Sequence, residues 1–182
     1  MTTFLTVARL LYDKGYSEVI EASRQLRREH IHCRFKWLGP IDEQYPQHVA
    51  KSTVIGHQKS GLIEYLGATS DVRKIVRKAT CIVLPSYHEG MSRVLMEALA
   101  MSKPIITTDV AGCREMVKDG ENGFLCKAGD AGSLVEALKK FMALDERQVR
   151  EMGAKSRMIA EERYDVMEVV KVYERIIAEC CR

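Results

Sequence analysis

Residues 81–99 read CIVLPSYHEGMSRVLMEAL: an apolar run, a polar loop, and then apolar residues at helical spacing. The segment 81–86 is almost continuously apolar, as expected of a strand that is buried on both faces of a parallel sheet. The spacing that follows predicts a helix over about 91–101. Gly90 would lie at the strand-to-helix turn, where a residue without Cβ lets a ligand approach the backbone. The predicted apolar stripe of the helix comprises Met91, Val94, Leu95, Ala98 and Leu99.

Strand and helix patterns alternate along the whole chain. This alternation predicts a Rossmann-like, doubly wound α/β fold, with a parallel sheet of about six strands and helices on both faces. Right-handed crossovers would place every strand-to-helix loop at one edge of the sheet, where ligands of such folds bind. The predicted strands are 4–10, 34–39, 62–67, 81–86, 105–109 and 123–126. The predicted helices are 16–30, one near 43–51, 71–79 with Ser70 as its cap, 91–101, a short one at 112–117, and a helical C-terminal tail over 131–143, 146–162 and 165–181.

Composition narrows the class of protein. A length of 182 residues suits a single domain, 1–182, and 46% hydrophobic with 29% charged residues is typical of a soluble globular chain. The formal charge of +3 is small, and no aromatic-basic cluster suggests nucleic-acid binding. No apolar run approaches the ~20 residues that span a bilayer, and the start lacks the features of a signal peptide. We therefore expect a cytoplasmic protein.

The six cysteines form no C-x-x-C pair, and the five histidines are scattered. No zinc-ligand spacing follows from these positions, so the sequence predicts no metal site. We expect the cysteines to be small, mostly buried hydrophobic residues in a reducing compartment.

Two glutamates, Glu89 and Glu97, flank the predicted turn into the helix. The first helical amides, around 91–93, lack intrahelical partners and would form an anion site together with the helix dipole. Glu89 at the rim could accept hydrogen bonds from hydroxyl groups, and Glu97 could accept two from a vicinal diol. A ligand that has phosphate groups between two groups rich in hydroxyls is typical of a nucleotide sugar. Spacing alone favours the alternative of an ordinary amphipathic helix with solvated acids.

The flanking sequence 85–125, PSYHEGMSRVLMEALAMSKPIITTDVAGCREMVKDGENGFL, resembles the donor-binding signature of retaining glycosyltransferases of family 4, which have the two-domain GT-B fold. That signature reads P-S-x-x-E-G, then E-A-x-A-x-G-x-P-V, then G-x-x-E and D-G-x-x-G. Ser102 stands where the family usually has Gly, Ala111 replaces a common Gly or Pro, and 38–42 reads LGPID where Gly-x-Gly is frequent. The matching residues are Pro85, Ser86, Glu89, Gly90, Glu97, Ala98, Ala100, Pro104, Gly112, Glu115, Asp119, Gly120 and Gly123.

The resemblance implies a site for a nucleotide diphosphate sugar. It further implies an Arg-Lys pair that clamps the diphosphate, matched by ARLLYDKG over 8–15; cations at such an edge offset pyrophosphate charge and stabilise the leaving group. His88, beside the first glutamate, is expected to face the loop or to have a structural role rather than to transfer protons. By position, the implied roles are Glu97 for the ribose hydroxyls, Glu89 for the transferred sugar, Gly90, Met91, Ser92 and Arg93 for the diphosphate or sugar, Arg9 and Lys14 for the clamp, and Leu66 and Gly67 for the base.

By the same resemblance, the full-length protein would be a hexosyltransferase that transfers a sugar from a UDP-sugar, with retention and without metal or cofactor. The acceptor would be a glycan or a lipid-linked glycan of capsular or lipopolysaccharide assembly. The resemblance covers only the C-terminal, donor-binding domain, so the N-terminal acceptor domain is expected to be absent from this chain. The chain alone would then bind donor without transferring sugar. Through that other domain the full-length protein could associate with the inner face of the cytoplasmic membrane.

Three alternatives remain at this point. A GT-B relative such as a UDP-sugar 2-epimerase would share the diphosphate site, and a non-catalytic nucleotide-sugar binding module would share the whole donor site. A Rossmann-like NAD-binding protein is disfavoured, because no G-x-G-x-x-G follows the first strand.

In the family a C-terminal helix crosses back onto the N-terminal domain. The last predicted helix of this chain carries more apolar residues than one narrow stripe holds. We expect part of it to be exposed and to repack, fray or form a dimer; a core helix buried on two sides is the alternative.

Overall fold

The computed structural model describes residues 1–180, and its described strands form one parallel sheet. The strand order is β3-β2-β1-β4-β5-β6. The order therefore reverses between β1 and β4, as in doubly wound folds, and confirms the predicted fold class. The strands are β1 (Thr3–Val7), β2 (Arg34–Leu38), β3 (Glu64–Tyr65), β4 (Cys81–Leu84), β5 (Ile105–Thr108) and β6 (Gly123–Cys126).

Helices cover both faces of the sheet, and alternate residues of each strand enter one of two cores. One core lies beneath α1, α2 and α5, as defined below, and takes Phe4 and Trp37 from the strands. The other lies beneath α3, α4 and α6 and takes Leu5 and Leu38. The helices are α1 (Tyr16–Arg28), α2 (Lys51–Lys59), α3 (Arg73–Lys78), α4 (Arg93–Ala100), α5 (Ala131–Met142), α6 (Glu146–Arg163) and α7 (Val166–Cys180), with 3-10 turns at Tyr12–Lys14 and Arg114–Met116.

The prediction of a helix near 43–51 was wrong, because the helix in this region begins only at Lys51. Residues 43–47 form turns and a bend instead, and His48 forms an isolated antiparallel bridge with Leu11. Pro46 disfavours the helical conformation of the residue before it, so a helix cannot run through this segment without cost.

Two helix starts also differ from prediction. Ser70 does not cap α3, which begins at Arg73. Instead, the Asp71 side chain accepts a hydrogen bond from the Arg73 amide at 3.1 Å. Ser92, not Gly90, is the residue that precedes the first turn of α4. Met91 lies outside the helix with 62% of its surface exposed, so it is not part of the apolar stripe.

The apolar residues of α7 are exposed, which confirms the expected exposure and excludes a core helix buried on two sides. None of its described residues is buried, whereas the apolar faces of α5 and α6 pack into the two cores.

Among the cysteines, Cys81, Cys113 and Cys126 are buried as expected, Cys33 is half-buried and Cys180 is exposed. Cys181 lies outside the described residues.

Candidate functional site

Most of the residues predicted to bind the ligand follow the two central strands at the carboxyl edge of the sheet, and Leu66 and Gly67 follow β3. Arg9 and Lys14 come after β1, and Glu89 comes after β4. β1 and β4 are hydrogen-bonded neighbours, so the loops that follow them meet where the strand order reverses. That point is the usual ligand crevice of an open α/β sheet.

Lys14 and Glu89 form an ion pair at the centre of this edge. The Lys14 Nζ lies 2.9 Å from the Glu89 Oε1, and the two side chains are only 17% and 18% exposed. The same Nζ lies 3.5 Å from the Oγ of Ser86. Two residues that sequence analysis assigned to different parts of one donor are therefore in direct contact here.

The loops that carry this ion pair pack closely on each other. Gly15 has a φ of +77°, and a Cβ at this position would lie 2.3 Å from the carbonyl oxygen of Pro85. The Ser86 Oγ lies 3.3 Å from the Asp13 carbonyl oxygen and 3.0 Å from the His88 carbonyl oxygen, either of which can accept its proton. Only glycine fits at position 15, both because of its backbone conformation and because of the neighbouring backbone.

The start of α4 lies on a second loop, the one that follows β5. The Ser92 amide donates to the Gly112 carbonyl at 3.2 Å. A Cβ on Gly112, whose φ is +80°, would lie 2.3 Å from the Glu89 carbonyl oxygen. One of the three amides expected to bind phosphate is therefore already paired, whereas Met91 lies in the open and the Arg93 side chain is 86% exposed.

Gly90 behaves differently from Gly15 and Gly112. A Cβ built on it meets no described atom within 4 Å, and its φ is not in the left-handed region. The described structure therefore has room for a side chain at position 90. A ligand that approaches the backbone would give this position a reason to be glycine.

Glu97 lies on the exposed face of α4, away from the Lys14–Glu89 pair. Its side chain is 45% exposed, and its Oε1 lies 3.9 Å from the Arg93 guanidinium one turn earlier. A cavity of about 400 Å³ separates it from the segment 70–73, which follows β3. A second cavity, lined by residues of α6, also borders Glu97.

Arg9 is not brought to the Lys14–Glu89 pair in this structure. Its Nη1 lies 3.2 Å from Asp42 Oδ2, and its guanidinium lies over the Tyr45 ring at 4.9 Å from the centroid. The side chain is 46% exposed. Arg9 is therefore held by the loop after β2, a contact that no pattern in the sequence indicated.

Leu66 and Gly67 lie beside the end of β2. The Leu66 amide donates to the Trp37 carbonyl at 2.9 Å, and the Gly67 carbonyl accepts from the Gly39 amide at 2.8 Å. A Cβ on Gly39 would in turn lie 1.9 Å from the Ala8 carbonyl oxygen. These contacts join the end of β1, the end of β2 and the predicted base-binding backbone in one continuous edge.

Sequence analysis overlooked a set of buried acids behind the ion pair. Asp13, read as part of a turn, is buried, and its Oδ2 lies 3.6 Å from His88 Nε2. Glu18 on α1 is buried as well and accepts a hydrogen bond from Tyr87. Their only signal was proximity in sequence to Lys14 and Glu89, which does not reveal burial.

Cys113 lies in the same region, and burial raises the pKa of its thiol. The nearby Glu89 carboxylate also raises that pKa. The thiol is therefore neutral at physiological pH and acts as a small buried side chain rather than a nucleophile.

Within residues 1–180, no group of three or more His, Cys, Asp or Glu side chains is placed to hold a metal ion. No helix in the same range is long and apolar enough to cross a membrane.

Comparison with known proteins gives the family. Residues 2–158 match the family described as glycosyl transferases group 1. The chain is 29% identical to the N,N'-diacetylbacillosaminyl-diphospho-undecaprenol alpha-1,3-N-acetylgalactosaminyltransferase of Campylobacter jejuni. The alignment of 177 residues covers 95% of this chain and 44% of that protein. It is 27% identical over 139 residues to the lipopolysaccharide core biosynthesis glycosyltransferase LpsE of Rhizobium meliloti, covering 76% of this chain and 39% of LpsE.

Solved structures show the same fold. The sucrose-phosphate synthase of Thermosynechococcus elongatus superposes with a TM-score of 0.83 at 22% identity, over 98% of this chain and 46% of that one. HepE of Anabaena, solved with UDP and glucose, superposes with a TM-score of 0.82 at 20% identity, over 97% and 48%. The chain thus spans about half the length of these relatives. By its sequence match and its fold, the chain belongs to the group 1 glycosyl transferases.

Proposed function

We propose that this chain is the donor-binding half of a retaining hexosyltransferase that uses a UDP-sugar. The observation that carries the proposal is the Lys14–Glu89 pair, half-enclosed at the strand-order reversal and next to the open backbone at Gly90. An ammonium has three donors, and its contacts in the described structure involve Glu89 and Ser86. A phosphate oxygen can take the remaining donor without breaking the ion pair.

The donor would then lie along the edge of the sheet. Its sugar would contact Glu89, its diphosphate would lie near Lys14 and the amides of Gly90, Met91 and Arg93, and its ribose would reach Glu97. The base would lie against Leu66 and Gly67. HepE was solved with UDP, and its fold matches this one, which supports the choice of UDP.

Arg9 would complete the clamp only after it leaves Asp42. The ion pair between them is partly exposed, and ion pairs at the surface contribute little, about 0–1 kcal/mol. A diphosphate carries more negative charge than one carboxylate and accepts two parallel hydrogen bonds from a guanidinium. We therefore expect Arg9 to turn from Asp42 to the donor when the donor binds.

The reaction we propose breaks the bond between the anomeric carbon and the diphosphate and forms one to the acceptor oxygen on the same face. The acceptor hydroxyl proton passes to the departing phosphate. Lys14 and Arg9 would stabilise the charge that develops on the leaving group. The acceptor we propose is a glycan or a lipid-linked glycan, as the names of the Campylobacter and Rhizobium relatives suggest.

We further propose that this chain alone binds donor and transfers no sugar. It spans about half of its relatives, and the acceptor would be held by the other half. Incubation of the purified chain with UDP-sugars and acceptors should give no glycosylated product. Transfer by the chain without a partner would contradict this proposal.

Calorimetric titration with UDP, ADP and GDP tests the nucleotide assignment. We expect UDP to bind more tightly than the other two, and Glu97→Ala to weaken it about tenfold or more, because a charged acceptor for two hydroxyls is lost. Glu136→Ala, an exposed glutamate on α5, is the matched control and should bind as the wild type does. Absence of binding by all three nucleotides at millimolar concentration would remove the basis of the site, and tighter binding of ADP would overturn the choice of base.

A further inference from the structure

A tyrosine and a glutamate outside the family signature join the two loops of the proposed site. The Tyr87 hydroxyl donates to Glu18 Oε1 at 2.7 Å. Tyr87 lies two residues before Glu89, and Glu18 lies on the first turn of α1, four residues after Lys14. The hydrogen bond therefore connects the segment that carries the acid to the segment that carries the cation.

This contact joins a buried carboxylate to a tyrosine that is 40% exposed. Glu18 is 8% exposed, and its Oε2 has no hydrogen-bond partner among residues 1–180. A buried carboxylate needs hydrogen bonds in place of water, and Tyr87 supplies one. The hydrogen bond to Glu18, together with burial, raises the pKa of Tyr87 to about 12, so the hydroxyl stays protonated and able to donate at neutral pH.

Tyr87 is held at its backbone as well. Its amide donates to the Asp13 carbonyl at 2.8 Å, directly before Lys14. The two anchors on Tyr87 fix the position and direction of the loop at 86–90. Glu89, two residues after Tyr87 on this loop, makes the 2.9 Å contact with Lys14.

We propose that Glu18 and Tyr87 are positioning residues that hold the 86–90 loop against α1, so that Glu89 and Lys14 face the diphosphate-sugar end of the donor. This inference rests on the proposed function. Neither residue is expected to contact the donor itself. Their effect reaches the diphosphate end alone, because Glu97 belongs to α4, whose apolar face packs into the second core.

The test compares two ligands, UDP and uridine, by NMR titration of the whole chain. Tyr87→Phe and Glu18→Met should each weaken the binding of UDP on the order of tenfold. This is the size expected when a hydrogen bond to a charged group is lost. Uridine affinity should stay within about twofold of wild type, since its ribose contacts lie at Glu97. Glu18→Gln keeps an oxygen that accepts from Tyr87 and should restore UDP affinity. The Tyr87→Phe, Glu18→Met double variant should be no weaker than either single variant, because both remove the same contact.

The outcomes separate the inference from the proposed function. Tyr173→Phe on exposed α7 is the matched control and should match the wild type for both ligands. If wild type binds neither UDP nor uridine, the proposed function fails. If wild type binds both but the variants leave UDP unchanged, or weaken UDP and uridine equally, the positioning role is overturned. If Tyr87→Phe does not fold, Glu18→Gln and Glu18→Asp give the same comparison. Asp is one methylene shorter, so its carboxylate lies farther from the Tyr87 hydroxyl. Only Glu18→Asp should then bind UDP more weakly.

Discussion

At the scale of single residues, the site is shaped by backbone contacts that leave no room for side chains. Gly112 touches the carbonyl groups of Glu89 and Gly90, and its own carbonyl holds the Ser92 amide. The loop after β5 therefore acts as a support for the loop after β4. A change at Gly112 should alter the position of Glu89 without contacting any ligand.

Substitution of Gly112 by Ala tests this support. The new Cβ would lie 2.3 Å from the Glu89 carbonyl oxygen, so the loop must move. Gly129→Ala is the matched control, because its φ of +69° resembles the +80° of Gly112 but its Cβ would meet nothing within 4 Å. We expect Gly112→Ala to lose about 1–3 kcal/mol more unfolding free energy than the control, measured by chemical denaturation, and to weaken UDP. Equal losses in the two variants would show that the close approach has no energetic effect.

His57 predicts a pH dependence of stability. Burial is the main reason its pKa is lowered from 6.5, and Arg24 lowers it further. Its Nε2 lies 3.3 Å from the Arg24 guanidinium, so a protonated imidazole would face a cation with no acceptor to offer. Its Nδ1 lies 3.0 Å from the Tyr16 hydroxyl.

Since the folded state resists this proton and the unfolded state binds it near pH 6.5, stability should fall as pH drops through 6.5 towards the folded pKa. Above pH 6.5 the group is neutral in both states and contributes no slope. Denaturation at a series of pH values should show a steeper fall between pH 7 and 5 in wild type than in His57→Gln. Identical slopes would contradict this assignment.

At the scale of residues, the sequence identified candidate site residues but not all of the contacts that they make. Lys14 and Glu89 were both assigned to a donor site, yet their ion pair depends on two loops that lie 75 residues apart. No sequence pattern indicated the burial of Asp13 and Glu18, because an aspartate in a turn and a glutamate on a helix are usually solvated. Arg9 was assigned to the clamp, but the capture of its side chain by Asp42 follows from a loop whose course only the structure gives.

At the scale of elements, the strands were predicted better than the helix starts. The apolar runs 81–86, 105–109 and 123–126 each contain an observed strand, because buried parallel strands have a distinctive composition. The helix near 43–51 was misplaced, since its segment is polar and its boundary depends on prolines. The start of α4 shifted by two residues because Met91, although apolar, belongs to the exposed loop.

The final helix makes a prediction of its own. All its large apolar residues are exposed, including Val169 at 55%, Tyr173 at 64% and Ile177 at 60%. Contiguous apolar surface of this kind promotes association. Because no described side chain of α7 is buried, removal of the chain after Asp165 should leave the melting temperature nearly unchanged.

The same truncation should shift the chain from larger species towards monomer in light scattering coupled to size exclusion. A lower melting temperature would show that α7 packs on the domain in solution, and an unchanged mass distribution would show that α7 does not mediate association. Lys171→Ala, a polar position on the same helix, should leave the distribution as in wild type.

At the scale of the whole molecule, the alternation of strand and helix was sufficient to predict the doubly wound sheet. The strand order then places the loops after β1 and β4 side by side, which turns separate motifs into one edge. The four parts of that edge are the base-side backbone at Leu66 and Gly67, the cation at Lys14, the acid at Glu89 and the acid at Glu97. No local pattern gives their mutual distances, because these are set by how the loops pack.

The central claim is that this edge binds a nucleotide diphosphate. Backbone amide NMR of the chain, with and without UDP, tests it most directly. We expect the shifted amides to cluster in 9–15, 66–67 and 86–97, while those at the opposite edge, in 31–34 and 61–64, stay in place. Binding of UDP with shifts confined to that opposite edge or to α7 would contradict it.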